Sequence, residues 1–263
     1  MQKIRMLSKQ KKYLYCLYLI IFLLVFACST DKAAMKESSL FEPEAAFRQA
    51  NDLIKDRDYE AAREILETVK AKDASRKYAL LAGLRIADTY FEEGSYEEAA
   101  VEYESFLDIH PYHKYASYAQ YKLAMCFFKR IKTVDISYSW AQRALQEFEK
   151  LRRHYPRNPY MDIIDSRIKK CKSILAGYEF YVGSFYFNKG SYEAAINRFT
   201  GLLENYPDSK KESEALYYLG LSYENFGQRE RAINALTALI EKFPSLELSG
   251  KAKELINSFN KEK

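Results

Sequence analysis

Residues 94–111 read GSYEEAAVEYESFLDIHP, and residues 190–207 read GSYEAAINRFTGLLENYP. Laid over one another and extended into the preceding segment, they share small, aromatic and proline positions. The first series is Ala87, Tyr90, Gly94, Tyr96, Ala99, Tyr103, Phe106 and Pro111, and the second is Gly183, Tyr186, Gly190, Tyr192, Ala195, Phe199, Leu202 and Pro207. A third follows at Gly220, Tyr223, Gly227, Arg229, Ala232, Leu236, Leu239 and Pro244. The offsets are identical in all three. Such self-similarity has to be settled before any other element is assigned, because it decides the whole architecture.

Each offset has a physical role. The small residue in a first helix admits a second helix closely, and the aromatic three positions on lies on the same face. The glycine ends that helix where a left-handed backbone is needed. The alanine of the second helix faces the small residue of the first, and the apolar positions four and seven later extend its buried stripe. Proline pushes the residue before it out of the α region and closes the unit. This is the tetratricopeptide (TPR) pattern.

Two weaker units surround the three. Residues 44–77 carry Ala50, Leu53, Tyr59, Ala62, Leu66 and Val69, with Arg57 in place of the glycine. Residues 117–156 carry Ala124 and Phe127, then Ala144, Phe148, Leu151 and Pro156, their two helices pushed apart by an enlarged loop, KRIKTVDISYSW. The fourth unit begins early, since YMDIIDSRIKKCKSILAGYEFYVGSFYFNKG reads as one long helix. A last helix over 246–260 would cap the open end, as stacked repeats require. The expectation is an all-α superhelix of about five TPR repeats with a C-terminal capping helix.

The N-terminal end reads differently. Lys3, Arg5, Lys9, Lys11 and Lys12 precede an uncharged run from Tyr13 to Ala27. A spanning helix needs about 20 apolar residues and a signal h-region about 7–15, so length favours an export signal over residues 1–27. Residues 28–42 then form a polar tether reaching at most about 45 Å. Repeats 1–3 occupy 43–156, and repeats 4–5 with the cap occupy 157–263. Of 41 basic and 36 acidic residues, the five basic ones before Cys28 leave with the signal, so both signs number 36 in the remainder. The basic pI therefore belongs to the signal and gives no reason to expect nucleic acid. Cys126 and Cys171 lie in apolar helical surroundings, where buried thiols are common, although export would also permit a disulfide.

No metal-ligand pair of histidines, HExxH, P-loop or GxSxG occurs, so no enzyme, metal or cofactor is expected. His110, His113 and His154 read as turn residues, and Trp140 as core. TPR superhelices line their concave face with first helices and bind peptides there. Projecting repeats 1–3 places Phe47, Asn51, Leu84, Asp88, Phe91, Tyr118, Tyr121, Met125 and Phe128 on that surface. It is apolar and aromatic enough to suit a peptide with similar side chains, or these residues pack between neighbouring first helices.

Finer matches bring in a family. The segment YEFYVGSFYFNKGSYEAAINRFTGLLENYPDS, 178–209, resembles the fourth repeat of the BamD family, the lipoproteins of the outer-membrane β-barrel assembly complex. The wider layout agrees across essentially the whole chain. The resemblance implies a non-enzymatic lipoprotein on the periplasmic face of the outer membrane of a Gram-negative bacterium. It implies as partners the POTRA domains of the barrel subunit, companion lipoproteins and the C-terminal segments of unfolded outer-membrane proteins. The family's NR element makes Arg198 the charged contact to a POTRA carboxylate, with Asn197 beside it. Val25, Phe26, Ala27 and Cys28 then resemble a lipobox, although Phe26 is bulkier than usual, and Cys28 would carry the lipid. Ser29 resembles an outer-membrane address. Another envelope TPR lipoprotein, a secretin pilot or a peptidoglycan-synthesis coordinator, would share the anchor and repeats but not AAINRF on a long fourth-repeat helix. A catalytic domain has no residues left to occupy.

Overall fold

The computed structural model describes residues 41–133 and 138–261. The expected signal, Cys28 and tether residues 29–40 lie outside the described residues, as do four residues of the enlarged loop. Eleven helices are found among those described: α1 Pro43–Lys55, α2 Tyr59–Lys72, α3 Lys77–Glu93, α4 Tyr96–Ile109, α5 Ala116–Lys129, α6 Tyr138–His154, α7 Met161–Asn188, α8 Tyr192–Asn205, α9 Glu212–Asn225, α10 Arg229–Lys242 and α11 Glu247–Lys261. There is no strand among the described residues. Each helix packs on the one before and the one after, and first helices also meet first helices of adjacent repeats (α1 with α3, α7 with α9). This is the expected all-α TPR superhelix, with α7 as the long helix of 28 residues and α11 as the cap.

The repeat positions explain why these segments form these helices. Gly94, Gly190 and Gly227 turn the chain between paired helices with φ of 93°, 74° and 79°. Arg57 occupies the same place in repeat 1 and takes the same left-handed backbone at φ 64°, although it has a side chain. Asp58 then caps α2, its carboxylate accepting from the Ala61 amide at 3.3 Å. At the start of α3 the Asp73 carboxylate accepts from the Tyr78 and Ala79 amides at 2.6 and 3.0 Å. The Ser75 hydroxyl bond holds that carboxyl below its ordinary range, with burial opposing and the amides assisting.

One buried position recurs in every repeat. Leu66, Tyr103, Phe148, Phe199 and Leu236 stand at the same place in the five second helices, and all are fully buried. Each is worth about 1.5–3 kcal/mol of burial, so this row runs as a spine through the stack. In repeats 4 and 5 the first-helix small residue is a glycine, and the spine residue lies directly on it. A Cβ on Gly183 would meet the Phe199 ring at 2.7 Å, and one on Gly220 would meet Leu236 Cγ at 2.6 Å. The close partner of the small residue is thus the residue four positions after the second-helix alanine, where the pattern had pointed to the alanine itself. The alanine is short, and the larger spine side chain reaches the gap first.

Cys126 and Cys171 are both buried free thiols. Trp140 is only half-buried, stacked against Phe127 at 6.4 Å with the Arg130 guanidinium 3.6 Å over its ring.

Candidate peptide groove and partner-contact recess

The first helices of repeats 1–3 carry a polar network where sequence projection placed a groove. On α1, the Asn51 amide donates to the Phe47 carbonyl at 2.7 Å, and its oxygen accepts from Arg85 Nε on α3 at 2.8 Å. Arg85 Nη1 donates to Asp88 Oδ2 at 3.1 Å. The other Asp88 oxygen accepts from two hydroxyls, Tyr103 of α4 and Tyr118 of α5, each at 2.6 Å. One carboxylate therefore ties α3, α4 and α5 together, and Arg85 extends the tie to α1. Burial and then the Asp88 charge push both tyrosine hydroxyls well above their ordinary range, so both stay protonated donors.

The projected residues separate by depth. Leu84, Asp88 and Met125 are buried, at 5, 6 and 6% exposure, and belong to the interior of the stack. Phe47, Asn51, Phe91, Tyr118, Tyr121 and Phe128 are half-buried and present edges at the surface. Tyr121 stacks on Tyr160 at 4.3 Å and 7°. Phe128 meets Phe148 edge-on at 5.9 Å, with the Arg167 guanidinium 4.7 Å over its ring. Lys122 Nζ lies 3.9 Å from the Phe91 ring centre and 3.3 Å from the Glu92 carboxylate. Arg85, Lys122 and Tyr160 were not singled out from sequence. The i,i+3 spacing of Arg85 and Asp88 was the one available signal.

Arg198 and Asn197 lie on α8, away from this network. Arg198 Nη1 is 3.1 Å from Glu179 Oε2 of α7, the arginine side chain 44% exposed and the glutamate 12%. Both line a recess of about 500 Å³ with Tyr138, Tyr186, Asn197 and Tyr206. Burial, assisted by the neighbouring Tyr138 and Glu179, pushes the Tyr206 hydroxyl up to about 12. An exposed guanidinium on a largely covered carboxylate can accept a second anion from outside, with Asn197 able to donate beside it.

Residues 41–236 match the family model YfiO, described as an outer membrane lipoprotein. The chain belongs to that family. Curated relatives include the outer membrane protein assembly factor BamD of Neisseria gonorrhoeae, 25% identical over 203 residues, covering 72% of this chain and 76% of the relative. BamD of Rickettsia prowazekii is 27% identical over 200 residues, covering 76% and 78%. These relatives agree with the BamD-family resemblance drawn from residues 178–209. Among solved structures, a yeast Sti1 TPR2AB domain in complex with pHSP90 matches with TM-score 0.45 and 14% identity over 84% of each chain. The TPR protein YrrB matches with TM-score 0.34 and 18% identity, over 86% of this chain and 98% of its own. No described helix is long and apolar enough to cross a membrane.

Proposed function

We propose that this YfiO-family chain is a non-enzymatic scaffold lipoprotein of the outer-membrane protein assembly machinery. The observation that carries the reading is the family match over 41–236, which takes in nearly all of the repeat stack. On this reading Cys28 carries the lipid and the repeats face the periplasm. Repeats 4–5 hold the POTRA region of the barrel subunit, with Arg198 and Asn197 at the contact. The half-buried aromatic edges of Phe91, Tyr118 and Tyr121 receive the aromatic-ended C-terminal segments of unfolded outer-membrane proteins. Arg85 and Lys122 stand among those edges as the cations that would meet an acidic or terminal carboxylate.

Affinity purification from detergent-solubilised envelopes tests the assignment. The POTRA-bearing barrel subunit and companion lipoproteins should co-purify, and recovery of a secretin instead overturns it. Metabolic labelling with palmitate should mark the wild type and not Cys28→Ala. Arg198→Glu should weaken direct binding to the POTRA fragment, and unchanged affinity removes Arg198 from the contact.

A further inference from the structure

One segment of this protein has a marked excess of basic residues. Beyond the expected signal the chain has as many acidic as basic residues, yet residues 150–173 hold eight basic residues and two acidic ones. This segment is the end of α6, the turn after it and the first half of α7. The fold brings its cations onto a recess of about 520 Å³ walled by Arg152, Lys169, Lys170 and Lys172 on one side and by Lys210, from the loop after α8, on the other. Arg152 and Lys172 are already paired, with Asp165 at 3.8 Å and Glu149 at 3.6 Å. Lys169, Lys170 and Lys210 are exposed and meet no acidic partner among the described residues. Ile168, Tyr206 and Pro207 add apolar surface to the recess, and the Ser209 hydroxyl is buried in its wall with no hydrogen-bond partner.

We propose that this recess docks an acidic polypeptide segment. Three unpaired ammonium groups converging from two elements favour an anion. A flat anionic bilayer fits poorly. The surface is concave, and its two carboxylates, Asp165 and Asp208, are each held by a cation of the chain, Arg152 at 3.8 Å and Lys242 at 3.0 Å. An extended chain can enter a recess that a flat sheet cannot. Its carboxylates reach the lysines, while its aliphatic stems lie against Tyr206 and Pro207. The lysines that carry the inference take no part in the POTRA and client contacts proposed above, although Tyr206 borders both this recess and the one beside Arg198.

The probe is a fluorescein-labelled peptide of alternating Asp and Glu, titrated by anisotropy onto the full chain in detergent. Binding should weaken as salt is raised. Lys169→Glu with Lys170→Glu should weaken it about tenfold, since two attractions become repulsions at exposed sites. Lys210→Glu on the opposite wall should weaken it too, and Lys170→Arg should retain it. All these side chains are exposed, and circular dichroism of each variant should match the wild type. Equal peptide binding by the Lys169→Glu, Lys170→Glu chain overturns the proposal. Binding of phosphatidylglycerol vesicles without binding of the peptide also overturns it and assigns the recess to lipid headgroups.

Discussion

The Phe199 ring sits where a Cβ on Gly183 would have to be, 2.7 Å from the nearest ring carbon. Phe199 is fully buried, so its ring has no free direction in which to yield. Replacing an interior helical glycine by alanine ordinarily gains about 1 kcal/mol of helix propensity. Overpacking a closed site costs about 1–3 kcal/mol, and here the rigid ring makes the cost the larger effect. Gly183→Ala should therefore lower stability by about 1–2 kcal/mol in urea unfolding. Gly83, inside α3 with nothing within 4 Å of its added Cβ, is the contrast, and Gly83→Ala should raise stability by about 0.5–1 kcal/mol. A stabilising Gly183→Ala would show that α7 and α8 can separate freely.

Arg57 holds the backbone that glycine holds in repeats 2, 4 and 5. A side-chain-bearing residue in that conformation costs about 1 kcal/mol relative to glycine. Arg57→Gly should stabilise repeat 1 by about 0.5–1 kcal/mol, and Gly94→Ala should destabilise repeat 2 by a similar amount. Site-resolved hydrogen exchange of α2 and α4 would read the two effects separately.

The Asp88 carboxylate accepts three hydrogen bonds from three side chains. Asp88→Ala leaves the fully buried Tyr103 hydroxyl without a partner and releases Arg85, a loss of about 2–3 kcal/mol expected in denaturant unfolding. Asp88→Asn keeps one acceptor for the tyrosines and should lose less. Tyr103→Phe combined with Asp88→Ala should recover part of the loss, because the orphaned hydroxyl is then gone.

For the groove, Phe91→Ala with Tyr121→Ala should weaken capture of a fluorescent peptide ending in an aromatic residue. Both side chains are half-buried at the surface, so the fold should persist. Equal binding by the double variant would place the client elsewhere.

Burial pushes the Cys126 and Cys171 thiols from 9.0 up to about 12. Both should resist iodoacetamide at mildly alkaline pH in the folded chain and react after denaturation. The unfolded thiols ionise first, so the folded chain holds more protons once pH passes 9.0. The stability they contribute is fully present below pH 9.0 and is lost as pH climbs towards about 12. Tyr103 and Tyr118, raised by burial and by Asp88, add loss of the same sign above their ordinary 10.0. Unfolding midpoints that rise between pH 9 and 11 would contradict this assignment.

The repeat offsets alone determined the helix pairs, their turns and the buried spine. Those features depend on spacing along the chain, and spacing is what a sequence records. The long fourth-repeat helix and the cap were legible for the same reason, as was the family signature at 178–209. Depth was not legible. Projection on a helical wheel gives Leu84, Asp88 and Met125 the same azimuth as Phe91 and Tyr121, and only the approach of neighbouring helices buried the first three. Arg85 and Lys122 gain their roles only where α1, Asp88 and Phe91 are placed against them. Arg198 was visible, but the Glu179 that holds it is 19 residues away on another helix. The basic recess likewise needed Lys210, far along the chain, to be brought to the wall opposite Lys169. Pairings between helices depend on crossing angle and separation, which arise from the packed side chains of the whole stack and not from any local run of residues.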